Sequence, residues 1–178
     1  MRRVVLTGGP GGGKTTFLNE LREHGYHTVD ESARAIIAER LSQGLSRRPE
    51  PLEFAREVLR RDIEKYMRHE DGMRLSFFDR GVVDALGMLN EVAPIEASEL
   101  QALLATYPYY TQVLVFPPWD TIYRMDNERD QTFDAAQQIH ARVTAWYRRC
   151  GYELFEVPTL SVVERLEYVL RSLNSGNA

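Results

Sequence analysis

The stretch that most constrains this chain is GGPGGGKTT, Gly8 to Thr16, set between the apolar run Val4-Val5-Leu6 and the helix-like spacing Phe17, Leu18, Leu21. It matches G-x-x-x-x-G-K-[ST] through Gly8, Gly13, Lys14 and Thr15, in the order strand, loop, helix that the motif requires. A chain of phosphates needs several donors converging at short range, and a glycine-rich turn lets consecutive backbone N–H groups point inward without Cβ clashes. That role falls to Gly9, Gly11, Gly12 and Gly13. The helix opening at Lys14 adds unpaired N–H groups and the positive end of its dipole. Lys14, expected to be exposed on the loop, supplies charge for the β- and γ-phosphates. The Thr15 hydroxyl, beside Thr16 in the same nucleotide-facing turn, is placed to ligate Mg²⁺. A flexible glycine linker is the alternative, and the flanking strand and helix count against it.

The length of 178 residues suits one domain with a substantial core. No apolar run approaches the length needed to span a membrane. Met1-Arg2-Arg3 leads straight into a strand, so no secretory signal is expected and a cytoplasmic location is. The single Cys150 agrees with a reducing compartment and reads as a packing residue. A net charge of −4 lacks the basic footprint of proteins that hold long nucleic acids, while small anions in a local cationic pocket remain compatible. Oligomeric state is open.

Short apolar segments alternate with amphipathic ones. Strands are expected at Arg2–Thr7, Tyr26–Val29, Leu75–Phe78, Gln112–Phe116 and Tyr152–Val157. Helices are expected over about 14–24, from Ser32 to Gly44 with Ala33, Ile36, Ile37 and Leu41 inward, and over about 52–69 with Ala55, Val58, Leu59, Ile63, Tyr66 and Met67 inward. Others follow over 82–92, 95–107, 132–150 and 161–173. Leu45 to Pro51 reads as a mobile connection and 119–131 as a polar, arginine-bearing insertion. The alternation predicts an α/β fold, one parallel sheet with helices on both faces and right-handed crossovers. Ligands in such sheets bind at the carboxyl ends of the strands. That rim collects the glycine loop, Asp30-Glu31, Asp79-Arg80, Pro117 to Asp120 and Pro158-Thr159.

Asp79 ends an apolar strand, where its carboxylate reaches a Mg²⁺ ion beside Thr15; otherwise it caps the helix before Val82. Arg80 clamps a phosphate or pairs with an acidic neighbour. Asp30 or Glu31, Glu31 first, holds an acceptor hydroxyl and takes its proton, or caps the helix starting near Ser32. Arg34 lines the same pocket or pairs back with Glu31. Arg124 and Arg129 form a lid over the transferring phosphate, or a solvated turn with Asp126, Glu128 and Asp130. His24, His27, His69 and His140 have no metal-ligand spacing. Tyr107 to Tyr110 reads as packing rather than a base-stacking platform. Asp84-Ala-Leu-Gly87 matches D-x-x-G but lies in a helical pattern and is set aside, and no NKxD is present.

VVLTGGPGGGKTT, FFDRG, FPPW with the following IYR, ER and QTF, and GYELFEVP together resemble the small AAA-domain ATPases akin to the ribosylnicotinamide kinase domain of bifunctional NAD regulators. More distantly the chain is similar to nucleoside and nucleotide monophosphate kinases. That resemblance implies a three-layer fold with a five-stranded parallel sheet of order 2-3-1-4-5, an acceptor-binding helical region and an arginine lid over about 119–131. It also implies an acidic acceptor ligand at Glu31, an aspartate–arginine pair at Asp79 and Arg80, and lid contacts from Arg124 and Arg129. The arginine spacing of this lid departs from the denser pattern of deoxynucleoside kinases. The expectation is an ATP- and Mg²⁺-dependent phosphotransferase acting on a small nucleoside-like or nucleotide-like acceptor. A regulatory ATPase or nucleotide switch with water as acceptor is the competing class.

Overall fold

Every second residue of a strand serves the same side of its sheet, and this alternation organises the computed structural model, which describes residues 2–68, 75–122 and 132–175. The order is β1 (Arg2–Gly8), α1 (Lys14–Glu23), β2 (His27–Val29), α2 (Ser32–Ser42), α3 (Pro51–Arg68), β3 (Leu75–Asp79), α4 (Val82–Val92), α5 (Ala97–Thr106) and β4 (Gln112–Phe116). A 3-10 turn at Asp120–Ile122, α6 (Phe133–Arg149), β5 (Glu153–Glu156) and α7 (Val162–Ser175) follow. The five strands form one parallel sheet in the order β2-β3-β1-β4-β5, as expected.

Val4 and Leu6 of β1, with Phe77, Leu114 and Phe116, face α1 and α7 and pack against Phe17, Leu18, Leu21, Leu166, Val169 and Leu173. Val5, with Phe78 and Val113, faces the other layer and meets Tyr66, Val83, Leu86, Leu100 and Tyr147. Strands buried on both sides read as continuous apolar runs, which is why β1, β3 and β4 were visible as Val-Val-Leu, Phe-Phe and Val-Leu-Val-Phe. A third cluster joins α2 to α3 and α4 through Ile36, Ile37, Phe54, Val58 and Ala85. Tyr109 packs edge-on against Tyr66 and Phe78, and Tyr66 donates to the Pro108 carbonyl across 2.8 Å, the packing role expected of that segment. Burial pushes the Cys150 thiol up to about 11, as suits a packing cysteine.

Two sequence expectations change, and a third goes untested. Leu41 and Met67 sit on the apolar stripes of their helices yet are exposed, Met67 by 69%. The connection Leu45 to Pro51 is tethered: the Arg40 guanidinium donates to the carbonyl and hydroxyl of Ser46 at 2.8 and 3.1 Å, and Ser46 Oγ donates to the Arg48 carbonyl at 3.0 Å. Most of the expected lid, with Arg124 and Arg129, lies outside the described residues. Among the described residues no helix is long and apolar enough to cross a membrane.

Candidate functional site

Register brings the rim together. Leu6 pairs with Asp79 and Gly8 with Phe116, while Val29 pairs with Phe78. In parallel strands the residues just beyond those pairs stay side by side, so the loop after β1, the Asp79-Arg80 step and Asp30-Glu31 converge at one crevice. The connection from β1 leaves toward β2 at one edge, while those from its neighbours β3 and β4 leave toward the other, the place where such sheets bind ligands.

The glycine loop needs its glycines. Gly8 has φ +120°, and a Cβ there would lie 2.2 Å from the Phe116 carbonyl oxygen; Gly13 has φ +79° and caps α1. No side chain caps that helix and no acidic residue stands in its first turn. Its N–H groups and dipole are therefore open to an anion. Thr15 and Thr16 are exposed in that turn. One expectation shifts: the Gly9 N–H is directed to His140 Nδ1 of α6 at 3.4 Å. The loop is also held from outside, because Arg165 of α7 donates to the Gly12 carbonyl at 3.2 Å and the Trp119 N–H donates to the Gly11 carbonyl at 3.4 Å. The Arg165 guanidinium lies over the Trp119 ring, 5.7 Å from its centroid.

Lys14 is not exposed as expected. It is 7% accessible and its Nζ donates to the Gly9 carbonyl at 3.1 Å, folded back over the loop it belongs to. Burial, reinforced by the nearby Arg80 charge, lowers its pKa to about 8, with Asp79 and Glu31 opposing. Phosphate oxygens are the natural replacement for that single carbonyl, since they would restore the charged form.

Asp79 is buried at the end of β3, and its Oδ1 has no hydrogen-bond partner among the described residues. Burial raises its carboxyl above the ordinary range, with Lys14 opposing. It does not cap α4. The Gly81 N–H goes instead to Asp84 Oδ2 at 3.2 Å, and the Val82 N–H goes to the Tyr109 hydroxyl at 3.2 Å. An orphaned buried carboxylate oxygen beside a phosphate loop fits a Mg²⁺ ion, which is held by one or two carboxylates together with phosphate oxygens.

Arg80 has φ 64°, a left-handed conformation that a branched-off arginine adopts only under constraint. The constraint is visible: its N–H donates to the Leu6 carbonyl at 2.9 Å, continuing the sheet ladder. Its guanidinium then reaches three acceptors, Glu31 Oε1, Asp84 Oδ1 and the Gly8 carbonyl, each at 3.1 Å. Burial works against its charge, but Glu31, Asp84 and Asp79 hold it more firmly protonated than usual. Glu31 takes the N-cap position of α2 without capping it; its second oxygen accepts from Arg34 Nε at 3.0 Å. Burial by itself would raise the Glu31 pKa, yet Arg80, Lys14 and Arg34 outweigh it and hold the carboxylate ionised below the ordinary range. Asp30 points away, into an exposed pair with Arg22.

Sequence reasoning set Asp84 aside, and the fold makes it a hub. It accepts from the Thr7 hydroxyl and the Tyr147 hydroxyl, each at 2.5 Å, besides Arg80 and the Gly81 N–H. Its signal in the sequence was its place three residues after Gly81, where an acid closes a capping box. Arg165, another omission, stands one turn into the closing helix just after the rim loop.

Beside these groups opens a cavity of about 800 Å³. Lys14, Glu31, Arg34 and Arg80 line it, as do the apolar side chains of Phe54, Val58, Ala85, Met88 and Trp146.

A family model described as an AAA domain matches residues 3–165, and the chain belongs to that family. No curated protein matches it in sequence. Its fold is that of P-loop kinases. It is similar to deoxyadenosine kinase from M. mycoides with bound dATP, at 14% identity and a TM-score of 0.63 over 98% of this chain and 100% of that one. The same enzyme with dCMP and a flexible dCDP aligns at 15% identity and a TM-score of 0.61 over 97% and 98%. YorR protein from Bacillus subtilis, in complex with phosphorylated GDP, aligns at 12% identity and a TM-score of 0.56 over 96% and 95%.

Proposed function

We propose that this member of the AAA domain family transfers the γ-phosphate of ATP to the hydroxyl of a small nucleoside-like or nucleotide-like acceptor. The observation that carries the reading is the cavity of about 800 Å³ that meets the phosphate loop at Lys14 and is lined by Glu31 and Arg80. Water as acceptor requires no such compartment, whereas a drug-sized organic acceptor fills one of this size. The nucleosides and nucleotides named for the similar structures belong to the same class of ligand.

The donor's phosphates lie along Gly8 to Thr16, in reach of the open N–H groups of α1. Lys14 leaves the Gly9 carbonyl for the β- and γ-phosphate oxygens. Thr15 and Asp79 are the residues that would hold Mg²⁺, which supplies charge neutralisation on the phosphates when bound. Glu31, kept ionised by Arg80, accepts a hydrogen bond from the acceptor hydroxyl and aims its oxygen at the γ-phosphorus. The new O–P bond forms as the bond to the ADP oxygen breaks, and the hydroxyl proton passes to Glu31 or to solvent. Because Glu31 has a depressed pKa, its larger contribution is orientation, with proton acceptance late in the step. Arg80 stands where it can neutralise the moving phosphoryl group, and Arg124 and Arg129 are proposed to add charge from the lid segment.

The test is Lys14→Met. The side chain is already disfavoured in its charged form by burial, so the variant should fold with little loss of stability. It should show no acceptor-dependent ADP release. Turnover at the parent rate would remove the phosphate loop from the mechanism.

A further inference from the structure

Among the residues that line the cavity one polar pair stands out. Asp62 of α3 occupies the inner face, at i+4 from Val58 and i−4 from Tyr66, where an apolar side chain is expected. It is 7% accessible and lines the cavity together with Ser32. The Ser32 hydroxyl donates to Asp62 Oδ1 at 2.5 Å, which uses the only donor that serine has. No described residue donates to the other carboxylate oxygen, and Lys65, the cation whose charge acts on Asp62, gives its Nζ to the Asp30 carbonyl at 2.5 Å. A buried carboxylate without an ion pair is costly and invites a functional explanation. With Asp62 ionised, what the pair offers the cavity is acceptor capacity alone: the second Asp62 oxygen and the lone pairs of Ser32.

Building on the acceptor site proposed above, we infer that Asp62 and Ser32 read the ring edge of the acceptor and select nucleoside-like substrates that present an N–H donor, such as an exocyclic amine, over those that present only a carbonyl there. Glu31 and Arg80 hold the hydroxyl end, the apolar wall of Phe54, Val58, Met88 and Trp146 encloses the ring, and the Asp62–Ser32 pair receives its amine. A carbonyl edge facing the same pair leaves two acceptors opposed and unpaired, the situation from which polar pockets draw their largest discrimination.

The same contact carries a pH signature. Burial pushes the Asp62 carboxyl up to about 7; the Ser32 hydrogen bond and Lys65 oppose this, while Asp84 of α4 and Glu31 at the start of α2 add to it. The Tyr109 hydroxyl, also nearby, stays protonated because burial raises its pKa well above 10.0. Asp62 is therefore ionised, and an acceptor only, above about pH 7. KM for amine-edged substrates should fall as pH rises through that value.

The experiment compares adenosine with inosine and cytidine with uridine, and their 2′-deoxy forms, in two assays: ATP-dependent phosphorylation and calorimetric binding. Binding is followed in the presence of ADP and Mg²⁺. The wild type should favour each amine-edged partner by about tenfold or more, in binding and in kcat/KM. Asp62→Asn keeps the shape and can still accept from Ser32, but it presents a donor. It should erase the preference in binding and in kcat/KM and flatten the pH dependence of KM. Asp62→Leu, which removes the polar edge, should likewise erase discrimination. If the amine-edged nucleosides bind in an Asp62-dependent way but none is phosphorylated, this inference stands and the kinase reading fails. Phosphorylation without an edge preference, a preference that survives both variants, or no Asp62-dependent binding of any probe overturns the inference.

Discussion

Arg80 Nε donates to Glu31 Oε1 across 3.1 Å, and the same guanidinium reaches the Gly8 carbonyl across 3.1 Å, so one side chain ties the acceptor wall to the phosphate loop. Neither link follows from sequence proximity. Both depend on β1 and β3 pairing in a register that sets Asp79 beside Leu6. The consequence is electrostatic as well as geometric: Glu31 and Asp84 are largely desolvated carboxylates that share the Arg80 cation.

Replacing that cation tests the arrangement. Arg80→Met removes the shared partner and leaves two partly desolvated carboxylates facing each other, at a cost of about 3 kcal/mol of stability. Urea denaturation at pH 7.5 should show the loss, and the double variant Arg80→Met with Asp84→Asn should recover part of it. A single variant as stable as the parent would mean that Arg80 does not hold the pair.

Asp79 differs, because its Oδ1 has no partner among the described residues to lose. Asp79→Asn removes a charge that burial already disfavours, so the protein should be as stable as the parent or more so. Nucleotide binding should weaken by about tenfold or more with Mg²⁺ and change little without it. Calorimetric titration of ATP in the two conditions reads the difference. Equal losses in both would place Asp79 outside any metal site.

Asp62 makes a stability prediction independent of any ligand. Its carboxyl titrates near 7 in the folded protein and at an ordinary 3.8 when exposed. The folded state therefore keeps a proton that the unfolded state has released, and stability falls as pH rises from about 4 to about 7, then levels. Asp62→Asn lacks this dependence. Its urea midpoint should exceed that of the wild type at pH 8, with the gap narrowing by on the order of 2 kcal/mol toward pH 4. A gap that does not change with pH would show that Asp62 is ionised throughout.

The parts of this molecule that were legible in the sequence are local. Gly8 to Thr16 carries its own backbone requirement, and the apolar triplets of β1, β3 and β4 announce buried parallel strands, so the sheet and its rim could be read directly. Asp79 and Glu31 stood out as candidates because strand ends are where such sheets bind ligands. The rest depends on packing between distant segments. Asp84 joins Thr7, 77 residues before it, to Tyr147, 63 residues after it, and Arg165 meets Gly12 across 153 residues. Lys14 looked exposed because a loop lysine usually is, and only the fold shows it turned back onto Gly9. Leu41 and Met67 looked buried because periodicity marks a stripe and cannot say how far a neighbour extends along it.

The central claim is that Glu31 serves a second substrate beside the phosphate loop. Glu31→Gln keeps the size of the side chain and removes the charge that Arg80, Lys14 and Arg34 stabilise. Initial rates of ADP release from ATP and Mg²⁺ are to be measured for the parent and the variant, alone and with a panel of nucleosides and nucleotides. The account predicts a parent stimulated by at least one acceptor, and a variant that binds ATP normally, loses about a hundredfold of the stimulated rate and keeps its background hydrolysis. A parent that no acceptor stimulates, or a variant with the stimulated rate intact, would contradict it.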